Sequence, residues 1–157
     1  MPAPRLIFAW GNLSRGDDAL GPALAEHLAQ AQPRHPEWGG VDTLTDYQLQ
    51  PEHALDLAGR ERVLFVDASV ACAPPYAFGA VQPAPGFGYT THAMKPEALL
   101  AVFRQVTGQT PPPAWLLTVR GDAFELGAPL SPQARRHLRA AIEFAETLLG
   151  GEWERLG

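Results

Sequence analysis

The chain predicts a single α/β domain spanning residues 1–157, a mostly parallel twisted sheet of about five strands with helices on both faces. Three observations carry this reading. Strand-like apolar runs alternate with helical patterns along the whole chain. The runs are continuously apolar instead of alternating in polarity, as expected of strands buried on both faces. The 157 residues amount to one domain, with no repeat, low-complexity tract or linker to divide them.

The elements follow in order. "RLIFAW" (5–10), bounded by Gly11, is the first buried strand. "DALGPALAEHLAQAQ" (18–32) is a helix in which Asp18 suits the N-cap and Pro22 stays in the first turn. Leu20, Leu24 and Leu28 form its apolar stripe. "GVDTLTDY" (40–47) is a short strand, and Pro51 and Gly59 bracket a brief helix after it. "RVLFVDAS" (62–69) is the clearest buried strand, and "AFGAVQP" (77–83) reads as a shorter one toward the edge. "KPEALLAVFRQVTG" (95–108) is helical, with Gly108 as its stop. "AWLLTVRGD" (114–122) is a further strand, and "LSPQARRHLRAAIEFAETLLGG" (130–151) is a long helix capped by Ser131 with Pro132 at its first position.

Composition removes several function classes. A hydrophobic fraction of 46% against 18% charged residues fits a folded chain, not a disordered one. A net charge of −5 with no basic run argues against nucleic acid. One cysteine permits neither an internal disulfide nor a cysteine-based zinc cage. No signal peptide and no apolar span of membrane length are read in the chain, so a cytoplasmic protein with no membrane partner is expected. Dinucleotide and P-loop fingerprints, the Gly-x-Ser-x-Gly elbow and the His-Glu-x-x-His helix are all missing. Cys72 reads as a small buried residue near a strand end. His27, His35, His53 and His137 sit in plain contexts and read as solvated or locally bonded.

The informative stretch is "FAWGNLSRGDDALGPALAEHL" (8–28). Gly11 and Gly16 have the spacing of a phosphate-cradling loop, yet Asp17 and Asp18 stand where a cation and a hydroxyl would be needed. Paired acids there repel phosphate and attract a cation. In an open α/β sheet, ligands bind beyond the carboxyl ends of the strands. Asp17, Asp18, Asp67 and His92 all fall there in this reading. Two carboxylates and an imidazole from separate strand ends suit a divalent ion such as Ni, Zn, Mn or Fe. Each also has a plainer role: Asp18 as an N-cap, Asp67 as a turn cap, His92 bonded to backbone ahead of its helix. Asp67 is the sharpest clue, because an acid ending an apolar strand needs a partner to stay ionised.

These residues resemble a known family. "GNLSRGDDALGPALAEHL" is similar to the Gly-Asn-x-Leu-x-x-Asp-Glu-Gly-x-Gly opening of the hydrogenase maturation endopeptidases. "ERVLFVDAS", "TTHAMKPEALLAVF" and "LGAPLSPQARRHLRAAIE" resemble, in order, their Asp-Ala strand, their Ser-x-His segment and their closing Leu-Ser-Pro helix. The likeness runs from about residue 6 to about residue 146. It implies a single α/β domain that removes a C-terminal extension from the large-subunit precursor of nickel–iron hydrogenase after nickel insertion. It implies Asp18, Asp67 and His92 as the catalytic, nickel-engaging set, with the nickel carried by the precursor and no nucleotide involved. Asn12, Asp17, Gln48 and Gln50 are the expected substrate contacts, with Asn12 alternatively a turn residue.

The chain departs from the family pattern at three places. Asp18 stands where the family has glutamate, and its carboxylate reaches about 1.5 Å less. Ala19 replaces the following glycine, and "TDYQLQPEHALDL" replaces the family's Gly-Thr turn. Two other readings remain open at this point. One is a nickel-dependent chaperone that binds the precursor without cutting it, and the other is a metal-dependent peptidase with another substrate.

Overall fold

A computed structural model of the chain describes residues 2–84 and 94–156. Its five described strands form one sheet: β1 (Arg5–Trp10), β2 (Val41–Asp46), β3 (Arg62–Ser69), β4 (Tyr76–Val81) and β5 (Ala114–Arg120). Their spatial order is β2-β1-β3-β5-β4, with every neighbouring pair parallel except β4 against β5. The antiparallel member is the short edge strand anticipated around 77–83. The α-helices are α1 (Leu20–Ala31), α2 (Pro96–Thr107) and α3 (Pro132–Leu149). No helix among the described residues is long and apolar enough to cross a membrane.

The two faces of the sheet bury two separate cores, because successive strand residues point to opposite sides. Ile7, Ala9, Leu64, Val66, Leu117 and Val119 pack under α1 and α3. Leu6, Phe8, Trp10, Val63 and Phe65 pack under α2 and the 3-10 helix Pro51–Leu57. Strands covered on both faces have no solvated side on which to place polar residues. That is why their sequences do not alternate.

Two helix starts repay comparison. Ser131 caps α3 as expected, its hydroxyl accepting from the Ala134 N–H at 3.1 Å with Pro132 next in line. Asp18 does not cap α1. A 3-10 turn, Gly16–Ala19, precedes that helix, Ala19 takes the cap position, and no side chain bonds there. The turn moves the helix start past Asp18 and releases its carboxylate for another partner. The brief helix expected after Gln50 is a 3-10 helix, Pro51–Leu57. A further 3-10 helix, Glu152–Leu156, follows α3 and carries the fully buried Trp153.

Candidate functional site

The site is built around the turn from β1 into α1, where two glycines permit approaches that no other residue could make. Gly11 has φ +153°, and a Cβ there would lie 1.9 Å from the Asp18 carbonyl oxygen. Gly16 has φ +54°, and its Cβ would meet the Ala123 carbonyl oxygen at 2.4 Å. The chain therefore folds tightly enough to present the two adjacent acids in opposite directions.

Asp17 points inward and is fully buried. Its carboxylate accepts four hydrogen bonds: Asp122 N–H at 2.8 Å, Ala123 N–H at 3.0 Å, and the Ser131 N–H and hydroxyl, each at 2.8 Å. Burial raises its pKa, but these bonds together outweigh burial and hold the carboxyl below its ordinary range. The structure thus places Asp17 as the clasp between the first loop and the loop 121–131, with no exposed surface of its own. Its expected part in substrate contact is corrected to a scaffold role. Nearby main-chain bonds, Gly16 N–H to Ala128 O and Gly127 N–H to Ser14 O, stitch the same two loops together.

Asp18 points the other way. Its Oδ2 accepts the Asn12 N–H at 2.7 Å. The Asn12 side-chain oxygen accepts the Ser14 N–H at 2.9 Å, which is the turn geometry an asparagine supports. Asp67, at the end of β3, has Oδ1 on its own neighbour's N–H, Ala68, at 2.8 Å. Burial, with a smaller contribution from the negative charge of Asp18, raises the Asp67 carboxyl to about 6. Hydrogen bonds from Ala68 and from the Trp10 side chain act in the opposite direction. The structure therefore brings Asp18 near enough to Asp67 for its charge to act on that carboxyl.

Strand register explains why Asp67 lies there. Trp10 pairs with Asp46 across β1 and β2, and Asp67 pairs with Thr118 across β3 and β5. Ala9 pairs with Val66, so the next pair along is Trp10 and Asp67. Asp46, Trp10, Asp67 and Thr118 form one row across the carboxyl ends of four strands, on the face toward α2. From the opposite face, Gly21 lets α1 approach the ends of β1 and β3 closely, since a Cβ there would lie 2.9 Å from both the Trp10 and the Val66 carbonyl oxygens.

The remaining expected residues are placed as follows. His92 lies outside the described residues. Gln48 is exposed and Gln50 half-buried on the connection after β2. Cys72 is half-buried, burial raises its thiol pKa, and its sulfur points at the Thr118 and Ser69 carbonyl oxygens, which suits no nucleophile. His137 donates from Nδ1 to the Arg120 carbonyl oxygen at 3.0 Å, a local bond of the expected kind. Among the described residues no three His, Cys, Asp or Glu side chains form a metal-holding group. Asp18 and Asp67 alone supply two oxygen donors, a hard pair that divalent first-row ions accept. Sequence reading missed Trp10 as a neighbour of Asp67 and Asp46 as a member of the same row. Both are set by cross-strand register, which a single sequence reveals only once the pairing is known.

Several solved structures share this architecture. The hydrogenase maturating endopeptidase HybD from Escherichia coli superposes with TM-score 0.70 at 24% identity, over 94% of this chain and 92% of that one. The NiFe hydrogenase maturation protease HycI from Thermococcus kodakarensis KOD1 gives TM-score 0.66 at 22% identity, over 94% and 93%. An endopeptidase HycI from Escherichia coli gives 0.63 at 24% identity, over 98% and 92%. At these identities the likeness establishes a shared fold. No protein-family model and no curated protein matches the chain.

Proposed function

We propose that this chain is a hydrogenase maturation endopeptidase acting in the cytoplasm. It removes the C-terminal extension from a nickel–iron hydrogenase large-subunit precursor once nickel has been inserted. The observation that carries the reading is the placement of Asp18 and Asp67 at the carboxyl end of the sheet, near enough that the charge of Asp18 raises the Asp67 pKa. Two carboxylates pressed together in this way are relieved by a cation placed between them. The shared architecture with HybD and HycI and the ordered motifs along the chain support the same reading.

The nickel arrives as part of the substrate. Asp18, Asp67 and His92 engage it and so hold the adjacent peptide at the mouth of the site. Hydrolysis then needs a group to take a proton from the attacking water and return it to the departing amine. A carboxylate of this set is the kind of group that performs such a transfer. Asn12 holds the loop so that Asp18 keeps its orientation.

A second reading, binding of the precursor without cleavage, is favoured by one feature: Asp18 is a methylene shorter than the family's glutamate. One experiment separates the two. Intact-mass spectrometry follows the nickel-loaded precursor during incubation with this protein, with nickel-free precursor in parallel. A single C-terminal loss seen only with nickel is expected, and that loss vanishes in a folded His92→Ala variant. A stable complex without any loss of mass overturns the peptidase reading in favour of the binding one.

A further inference from the structure

One more organised group lies in the row at the carboxyl end of the sheet, on the flank formed by β2. Both oxygens of Asp46 are held. The Tyr47 N–H donates to Oδ1 at 2.7 Å, and His53 Nε2 lies 2.9 Å from Oδ2. His53 Nδ1 accepts the Gln50 N–H at 2.9 Å. The ring proton therefore sits on Nε2 and is donated to Asp46. The imidazole is only 8% exposed and packs edge-on against Phe8, with centroids 4.8 Å apart. A buried ring fixed at both nitrogens thus orients a carboxylate that is itself half-buried. An ionised carboxylate has about four acceptor directions, so this one retains capacity toward solvent.

Asp46 also lines a groove of about 250 Å³ at the strand end, together with Gly11, Leu13, Pro22, Thr45 and Tyr47. Leu13 and Tyr47 are 67% and 71% exposed, unusual for such large apolar groups. The groove adjoins the loop that holds Asp18. Gly11 donates its N–H to the Asp46 carbonyl oxygen at 3.0 Å, and the next residue, Asn12, donates to Asp18 at 2.7 Å.

We propose that this groove seats the extended segment of the peptide substrate next to the bond that is cut. Asp46 accepts a main-chain N–H of that segment, and Leu13 and Tyr47 close over one of its side chains. His53 is a positioning residue that acts through Asp46. The inference rests on the peptidase reading and adds the path by which the chain to be cut reaches the acids. An extended peptide arriving beside the end of β2 brings unpaired N–H donors, and an oriented carboxylate is the acceptor they require.

The test measures kcat and KM for cleavage of nickel-loaded precursor, with thermal melting recorded for each variant. Asp46→Asn and Tyr47→Ala should each raise KM by about tenfold with kcat nearly unchanged. His53→Gln should raise KM in the same direction. A change in melting temperature alone, with KM unaltered, would overturn the positioning role of His53. Unchanged KM in both Asp46→Asn and Tyr47→Ala would overturn the groove. Should the wild-type protein cleave nothing, the peptidase reading fails on its own account. Fluorescence anisotropy with a labelled synthetic peptide copying the precursor's C-terminal segment then decides the groove. Weaker binding by Asp46→Asn supports it, and equal binding by both proteins overturns it.

Discussion

At the scale of single residues, the adjacent acids Asp17 and Asp18 do unrelated work, and opposite pH behaviour separates Asp17 from Asp67. Asp17 accepts four bonds with no solvent exposure, so Asp17→Ala leaves four donors unpaired and should cost about 2–4 kcal/mol. Its folded pKa is depressed, so its stabilisation is complete above the ordinary carboxylate range and is lost as pH falls through the folded value. Urea unfolding of Asp17→Ala at neutral pH and near pH 3 should therefore show a deficit that shrinks in acid. Asp67 has the reverse sign. Its folded pKa is raised to about 6, so the native state holds the proton more tightly than the unfolded chain does. That contribution is present below the ordinary carboxylate pKa and disappears as pH rises toward 6. Asp67→Asn should then stabilise the protein at pH 7 by roughly 1–3 kcal/mol, with little effect near pH 3. The same variant should cleave no precursor. Equal or lower stability of Asp67→Asn at neutral pH would show that the carboxylate is not under strain from burial and Asp18.

At the scale of elements, the strands and the long helix were legible because each carries its own local signal. The apolar runs at 5–10, 62–69 and 114–122 became β1, β3 and β5, and Ser131-Pro132 marked the start of α3. Gly108 ends α2 in the left-handed conformation its place after the apolar stripe suggested. The start of α1 was misread because a capping preference is weak beside the constraint that the loop imposes. Gly11, with its Cβ direction blocked by the Asp18 carbonyl, determines where that loop passes, and it does so through a contact between residues seven apart. The candidate site was half legible for the same reason. Asp18 and Asp67 stood out as acids at strand ends, whereas Asp46 and Trp10 join them only through parallel register. Asp17 looked equivalent to Asp18 because nothing local announces four donors arriving from residues 122–131. Gly11→Ala tests the loop directly. It should destabilise the fold by about 3 kcal/mol or more, and it should abolish cleavage even at temperatures where the variant stays folded. Retained activity in a folded Gly11→Ala variant would mean that Asp18 keeps its position without the tight turn.

At the scale of the molecule, the two ends of the sheet divide the labour. The carboxyl end carries the acids, the groove and the loops clasped by Asp17. The amino end is closed by the last 3-10 helix, whose Trp153 is fully buried and meets Trp115 edge-on at 5.8 Å. Arg62 donates to the Trp153 carbonyl oxygen at 3.1 Å and stacks its guanidinium over Trp115 at 5.8 Å from the ring centre. Arg5 pairs with Glu154 and bonds the Trp38 carbonyl oxygen, tying the tail to β1 and to the turn before β2. None of these groups lines the groove or the row of Asp46, Trp10, Asp67 and Thr118. Truncating a buried tryptophan removes a large apolar area and leaves a cavity, so Trp153→Ala should cost about 3–5 kcal/mol. For a chain of this length that corresponds to a fall in melting temperature of roughly 6–20 °C. Cleavage measured well below the new melting point should keep its kcat and KM, because the damage lies across the sheet from the acids. A loss of activity in Trp153→Ala while it remains fully folded would show that the tail at the amino end is coupled to the site, and that β1 and β3 transmit the change along their length.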